Sequence, residues 1–210
     1  MPVAVPPPVS RAVATWQWSR KPFAGPHDPA NLDPHTLVRT VAVALFLRQR
    51  SAQAIEVAAE ASRTTNQSPI VLDCCRYFAA LMLEAVAGSP KPGILALSGN
   101  ALHERKLKPE VDALKSTSWH AAAPPATART ATAVLAAALA AFSRSQDFRS
   151  GLELALRTAG DPASVAALYG ALAGAHYGVR GLPPAATTGL VDLAALESVA
   201  RLLSTGPGAA

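Results

Sequence analysis

The stretch TAGDPASVAALYGALAGAHYG, residues Thr158 to Gly178, carries the clearest helical pattern in the chain. Asp161 and Pro162 are typical of a helix N-terminus, because an aspartate side chain accepts hydrogen bonds from free backbone amides there and proline needs no amide partner. Ser164 can serve a free amide of the same turn. Apolar side chains then follow at the spacing of one helix face, at Val165, Leu168, Tyr169 and Leu172.

Glycines recur every four residues along the same predicted helix, at Gly170, Gly174 and Gly178, with alanines between them. An interior glycine costs a helix about 1 kcal/mol relative to alanine. A row of glycines therefore indicates that another backbone approaches closely. We predict a central buried helix in which Gly170 and Gly174 are packing residues rather than ligand contacts.

Residues Ala159–Pro183 resemble the C-terminal signature of the ADP-ribosylglycohydrolases, of the type of the dinitrogenase reductase-activating glycohydrolase. That family consists of all-helical enzymes that use two magnesium ions to cleave ADP-ribose from a protein side chain or a related acceptor. Its signature typically reads Gly-Gly-Asp-Thr-Asp-Thr, followed by a helix rich in small residues, Tyr-Gly and Pro. The resemblance places Asp161 at the first metal carboxylate and Ser164 at a threonine hydroxyl, whereas Ala163 replaces the second aspartate.

Two earlier segments follow the order of the same family. Residues Pro34–Arg39 correspond to Asn-Gly-Ser-Leu-Met-Arg and keep Leu37 and Arg39. The Thr-His pair of the family corresponds to Thr65 and Asn66, and an asparagine cannot act as a general base or titrate near neutral pH. The resemblance implies that Thr65 and Asn66 line the ligand pocket together with the metal residues.

The first part of the family pattern has no match in this chain. Family members begin with a helix rich in glycine and alanine and with a Thr-Asp-Asp-Thr segment whose carboxylates hold both metal ions. We therefore interpret the chain as an N-terminally truncated member with a degenerate metal motif. The truncation would leave an apolar face that a protein partner could cover.

Composition supports an all-α fold. The chain has 210 residues, of which 50% are hydrophobic and 5% aromatic, and alanine and leucine favour packed helices over a sheet. We predict one compact orthogonal multi-helix domain of about eight helices with residues 165–177 near its centre. Its expected limits are residues 16–205, preceded by a disordered proline-rich start (residues 1–15) and followed by a flexible tail (residues 206–210).

Start signals place the other main helices. They begin near His35, Ser51, Ser68, Asp147 and Asp192. Ser68 and Asp147 are predicted caps, with Pro69 in the first turn after Ser68. The last helix is amphipathic, and its apolar residues are predicted to point inward: Leu193, Leu196, Val199, Ala200 and Leu203. Residues 11–34 are predicted to form a loop whose tryptophans, Trp16 and Trp18, clamp the terminus to the core.

Several classes of protein are disfavoured. The net charge of +5 is spread without clusters, which argues against nucleic-acid binding. Cys74 and Cys75 point about 100° apart on a helix and cannot easily pair, so no disulfide framework or cysteine zinc site is expected. The first ten residues lack a basic region, and no segment resembles a membrane span. A cytoplasmic protein is the expectation.

Catalysis is the open question. Two magnesium ions need about six oxygen ligands each, and Asp161 and Ser164 supply too few, while Asp161 is also explained as a helix cap. No catalytic residue is assigned. We predict that the chain alone lacks magnesium-dependent ADP-ribosyl hydrolase activity. The alternatives are an enzyme completed by other ligands or by a second polypeptide, a non-catalytic ADP-ribose-binding protein, and a partner-binding helical module. The acceptor could be arginine, serine, a nucleic-acid end or a free nucleotide derivative.

Overall fold

The structure, a computed structural model, describes residues 5–97, 102, 105–116, 125–188 and 190–206. Within those ranges every regular element is a helix, which confirms the all-α fold class. The α-helices are α1 (Pro7–Ser19), α2 (His35–Phe46), α3 (Ser51–Ser62), α4 (Pro69–Val86), α5 (Lys91–Ala96), α6 (Pro109–Lys115), α7 (Ala131–Arg144), α8 (Phe148–Leu156), α9 (Pro162–Tyr177), α10 (Ala185–Thr188) and α11 (Leu193–Ser204). A turn of 3₁₀ helix follows α9 at Val179–Gly181.

Helix α4 lies at the centre of the fold. It packs against α2, α3, α7 and α9, and it buries side chains all around its axis, among them Cys74, Tyr77, Phe78 and Leu81. Both cysteines are free and buried. Helix α9 shares the core through one side only, with Val165, Leu168, Tyr169 and Leu172 buried. The predicted apolar face of α9 is thus confirmed, but α4 rather than α9 is the central helix.

The glycine row of α9 does not pack against the backbone of a neighbouring element in the part of the chain that the structure describes. There, a Cβ added at Gly170 or Gly174 would meet no neighbouring atom within 4 Å, so the prediction that these are packing residues is wrong. The reason is that α4, α7 and α8 approach α9 from its other side. Close packing occurs instead at Gly151 of α8, where an added Cβ would lie 2.5 Å from Cε2 of Tyr169.

The start of the chain is helical where disorder was expected. Pro7 and Pro8 occupy the first turn of α1, where backbone amides have no partner and proline is tolerated. The helix continues to Ser19, so the prediction of a disordered start and an aromatic loop is wrong for this part of the chain; residues 1–4 lie outside the described ranges. Trp16 and Trp18 are 45% and 88% exposed and do not clamp the terminus.

The predicted helix caps are confirmed at two positions and wrong at one. Asp147 accepts a hydrogen bond from the Ser150 amide (2.7 Å) in a reciprocal capping box. Asp161 accepts one from the Ser164 amide (3.0 Å). Ser68 makes no cap hydrogen bond, because its hydroxyl donates to the carbonyl of Pro29 instead (3.2 Å).

Helix α11 begins after Asp192 as predicted, but its apolar face is exposed. Leu196 and Val199 are each 53% exposed, and no residue of the helix is buried. Among the described helices α11 packs against α2, and Arg48 donates to the carbonyls of Leu203 and Ser204 at its C-terminal end. The prediction of an inward face is wrong, because within the described ranges no helix other than α2 packs extensively against α11. The expected tail beyond Gly206 lies outside the described residues.

Candidate functional site

A cavity of 280 Å³ opens between the start of α2 and the turn that joins α3 to α4. Three of its residues come from the start of the chain: Pro6, Pro8 and Val9. The others are polar: Asp33, His35, Thr36, Arg39, Thr65 and Asn66. The two ligand-binding residues predicted from the sequence, Thr65 and Asn66, therefore lie together in one cavity, next to residues of the predicted Pro34–Arg39 segment.

The Asn66 side chain holds the turn in place. Its Nδ2 donates to the carbonyl of Asn31 (3.1 Å), and its Oδ1 accepts from the amide of Ser68 (2.9 Å). The backbone amide of Asn66 donates to the carbonyl of Ser62 (2.8 Å). Because Asn66 is 1% exposed and both ends of its amide are bound, its contribution to the cavity is to fix the position of Thr65.

Gly25 brings the preceding loop against this turn. Its amide donates to the carbonyl of Arg63 (3.0 Å), and its carbonyl accepts from Nε2 of Gln67 (2.6 Å). A Cβ at Gly25 would lie 2.6 Å from the carbonyl carbon of Thr65. Only glycine permits this approach, so the loop after α1 packs tightly against the Thr65–Asn66 turn.

Arg39 supplies a positive charge to the cavity. Its Nη2 donates to Oγ1 of Thr65, and its Nη1 lies 3.5 Å from Oγ1 of Thr64. Partial burial lowers the pKa of Arg39, while Cys75 and Asp33 act in the opposite direction. A guanidinium stays protonated under such a shift. Its planar donors suit phosphate or carboxylate oxygens.

Asp33 and His35 form a pair at the mouth of the cavity. Oδ1 of Asp33 accepts from the backbone amide of His35 (2.9 Å) and lies 2.8 Å from its Nδ1. The carboxylate thereby occupies the free end of α2 and fixes the imidazole ring. Sequence reasoning missed this pair, although a short Asp-Pro-His motif before a helix is a recognisable start signal.

The two metal residues predicted from the sequence lie at the start of α9, outside this cavity. Oδ1 of Asp161 accepts from the amide of Ser164, which is 6% exposed. The amide of Asp161 donates to the carbonyl of Ala128 (2.8 Å). Gly160 has φ of 106°, and its added Cβ would lie 2.9 Å from the carbonyl carbon of Ala128, so glycine is required there.

The start of α7 and the loop before it connect the segments that carry the two pairs of predicted site residues. Ala128 of the loop binds the start of α9, and the amide of Ala131, the first residue of α7, donates to the carbonyl of Leu32 before α2 (2.8 Å). Asp161 and Ser164 are absent from the residues that line the cavity of Thr65 and Asn66. The structure thus brings each pair together but does not place both pairs in one cavity.

The residues at α9 do not fit a centre of two magnesium ions. Such a centre needs several carboxylates held close together. In the part of the chain that the structure describes, no three histidine, cysteine, aspartate or glutamate side chains are grouped closely enough to hold a metal ion. Asp161 and Ser164 offer one carboxylate and one buried hydroxyl. The carboxylate already accepts a hydrogen bond from a backbone amide.

A second polar cluster joins distant segments of the fold. Nζ of Lys91 donates to the carbonyl of Ser145 (2.5 Å) and to Oη of Tyr177 (2.9 Å). This cluster ties the start of α5 to the end of α9. Sequence reasoning missed it, because its members are 54 and 86 residues apart and no local pattern links them.

A larger cavity of 350 Å³ lies between α7 and α8. Alanines of α7 line it together with Leu154, Arg144 and Arg157. The predicted metal and ligand-binding residues (Asp161, Ser164, Thr65 and Asn66) are absent from its lining, so we place the candidate site at the Arg39 cavity. No helix among the described residues is long and apolar enough to cross a membrane.

Comparison with known proteins gives a consistent result. The family model described as ADP-ribosylglycohydrolase matches residues 2–209. The curated protein ADP-ribosylarginine hydrolase Tri1 of Pseudomonas putida (strain GB-1) is 29% identical over 170 residues, a match that covers 77% of this chain and 43% of that protein. A solved structure titled ADP-ribosylglycohydrolase-related protein complex matches with a TM-score of 0.85 and 30% identity, over 95% of this chain and 68% of that one. The chain thus spans less than half the length of the curated relative.

Proposed function

We propose that this chain, which belongs to the ADP-ribosylglycohydrolase family, binds ADP-ribose or an ADP-ribosylated acceptor without hydrolysing it on its own. The observation that carries the proposal is the role of Asp161 as a helix cap. Its carboxylate is the one match to the metal carboxylates of the family, and it caps α9 through the Ser164 amide. Among the described residues it belongs to no group of three or more histidine, cysteine, aspartate or glutamate side chains that could hold a metal ion.

The Arg39 cavity supports the binding half of the proposal. ADP-ribose carries a diphosphate, and the guanidinium of Arg39 is a fixed donor for its oxygens. Thr65 lies beside that guanidinium, and Asn66 keeps the turn in place. The cavity volume of 280 Å³ falls just below the roughly 300–1,000 Å³ that is common for ligand pockets. As it stands, the cavity would hold a part of ADP-ribose.

The missing chemistry supports the other half of the proposal. The family resemblance implies two magnesium ions, and the residues present at α9 do not fit them. Asn66 stands where the family has a histidine, and its buried amide can neither accept nor release a proton near neutral pH. We therefore derive no hydrolytic step from this chain and assign no catalytic residue.

The proposed acceptor is an arginine side chain. The curated relative is named an ADP-ribosylarginine hydrolase. That activity belongs to a protein of which this chain covers 43%. An ADP-ribosylated arginine peptide is accordingly the first acceptor to test, with ADP-ribosylated serine as the comparison.

Release of ADP-ribose from such a peptide tests the proposal. We expect no release by the parent chain, with or without magnesium. Asp161→Asn is the matched variant, because asparagine caps helices as well as aspartate does but is a poorer metal ligand. Magnesium-dependent release by the parent that disappears in Asp161→Asn would show that the site is complete and that the proposal is wrong.

A partner-binding module is the second candidate, and the exposed apolar surface favours it. Leu196, Val199 and Leu202 of α11 are 53%, 53% and 68% exposed, and among the described residues no neighbouring atom lies within 4 Å of a Cβ added at Gly170 or Gly174 on one side of α9. Exposed apolar patches of this kind mark interaction surfaces. Sedimentation of the parent and of Val199→Asp at several concentrations tests it: association that the variant abolishes supports the candidate, and a monomeric parent at every concentration weighs against it.

A further inference from the structure

Helix α1 is attached weakly to the rest of the fold. It has 13 residues, and Ala12 is its one buried side chain. Val13 and Trp16 are 47% and 45% exposed. Within the described ranges no hydrogen bond joins α1 to another helix, and α1 is not among the helices that pack extensively on one another. Segments with so few buried contacts open at low free-energy cost.

The same helix lies across the candidate site. Pro6, Pro8 and Val9 form one wall of the Arg39 cavity. One turn further on, Ala12, Val13 and Trp16 form a wall of an adjacent groove of 390 Å³. Thr65 lines both spaces, and it is 8% exposed. The N-terminal half of α1 therefore covers the position where Thr65 meets Arg39.

We propose that α1 is a displaceable strap. It closes the Arg39 cavity in the free chain, and it moves away from the cavity to admit a ligand that is larger than the closed cavity. The core does not depend on α1, because the buried side chains of α4, α7 and α9 pack on one another. A ligand that binds only the open state displaces the strap by its preference for that state. The apparent affinity for such a ligand equals the affinity of the open state multiplied by the fraction of molecules that are open.

Access to Thr65 measures the state of the strap without any ligand. Thr65→Cys in the full chain places a thiol under α1, and its rate of reaction with a maleimide reports opening; the native cysteines are buried and give the background rate. Ala12→Glu, which buries a charge under the helix, is expected to raise the rate about tenfold or more as the closed population falls. Ala14→Glu is the matched control, because Ala14 is exposed on the same helix, and it should leave the rate unchanged.

Two results would overturn the strap. One is an equal rate of maleimide reaction with and without Ala12→Glu. The other is global unfolding by Ala12→Glu, seen as loss of the helical circular dichroism signal far beyond the share of α1, since a strap is dispensable to the core. Val9→Asp, placed on the cavity side of α1, provides a second opening variant and should raise the rate in the same way.

The identity of the ligand rests on the proposed function and is tested separately. Titration of ADP-ribose should give tighter binding to Ala12→Glu than to Ala14→Glu, because the first variant has already opened the cavity. Equal affinities for the two variants would contradict the strap. Binding to none of the variants, together with a raised thiol rate, would refute ADP-ribose as the ligand and leave the strap in place.

Discussion

Replacing Gly151 with alanine probes the contact that locks α8 onto α9. A Cβ at this position would lie 2.5 Å from Cε2 of Tyr169 and would overlap its hydroxyl oxygen. Tyr169 is fully buried, and its hydroxyl donates to the carbonyl of Phe148 (2.9 Å). The ring must therefore move, and the hydrogen bond must lengthen or break.

The magnitude follows from three contributions. Overpacking a core costs about 1–3 kcal/mol, and the lost hydrogen bond adds about 1 kcal/mol. Alanine gains up to about 1 kcal/mol over glycine in a helix, which offsets part of the cost. We expect Gly151→Ala to lower the free energy of unfolding by roughly 2 kcal/mol, which is a fall in Tm of about 4–8 °C for a domain of this size.

Urea unfolding followed by circular dichroism at 222 nm measures this change. Gly170→Ala and Gly174→Ala are the matched controls, because an added Cβ at either position meets no neighbouring atom of the described ranges within 4 Å. Both should stabilise the protein by up to about 1 kcal/mol through helix propensity. If Gly151→Ala unfolds at the same urea concentration as the parent, or if the two controls are destabilised, α8 and α9 do not pack as the structure shows.

Three further predictions concern the cap of α9, the exposure of α11 and one histidine. Asp161→Ala removes the cap and should lower the free energy of unfolding by about 0.5–2 kcal/mol, and Asp161→Asn should lower it much less. Equal melting temperatures of the two variants would contradict the capping role. Val199→Glu should change stability by no more than about 0.5 kcal/mol, because Val199 is 53% exposed; a larger loss in urea would mean that α11 packs inward. Burial, and then the charge of Lys91, lower the pKa of His176 below its ordinary value of 6.5. The neutral imidazole therefore contributes to the free energy of unfolding, and this contribution is complete above pH 6.5 and is lost as the pH falls through the lowered pKa. Unfolding midpoints of the parent should therefore fall more steeply with acid than those of His176→Gln, and parallel curves would contradict the shift.

The parts of the fold that the sequence predicted correctly depend on local chemistry. The buried face of α9, including Val165, Leu168 and Leu172, follows from spacing alone. The caps at Asp147 and Asp161 also follow from the sequence, because a carboxylate placed three residues before a free amide reaches it whatever packs nearby.

The errors arose where burial depends on a neighbour. The glycine row of α9 and the apolar face of α11 have the composition of buried surfaces, but no described helix covers them. The first turn of α1 was predicted to be disordered because Pro7 and Pro8 suit extended chains as well as helix starts. Local composition does not decide between those outcomes.

The candidate site was predicted in part. Thr65 and Asn66 were identified from their place in the order of the family pattern, and both line the Arg39 cavity. The wall formed by Pro6, Pro8 and Val9 was not predicted, because it depends on how α1 folds back over the turn. The internal hydrogen bonds of Asn66 were also not predicted, since its partner Asn31 is 35 residues away.

The central claim is binding without turnover, and one nuclear magnetic resonance experiment on an ADP-ribosylated arginine peptide tests it most directly. Saturation transfer from the protein to the ADP-ribose protons reports binding, and the signals of free ADP-ribose report turnover in the same tube with magnesium present. The account predicts transfer that weakens in Arg39→Ala, and no free ADP-ribose over many hours. Growth of free ADP-ribose signals in the parent, or no saturation transfer to the peptide at any concentration, would contradict it.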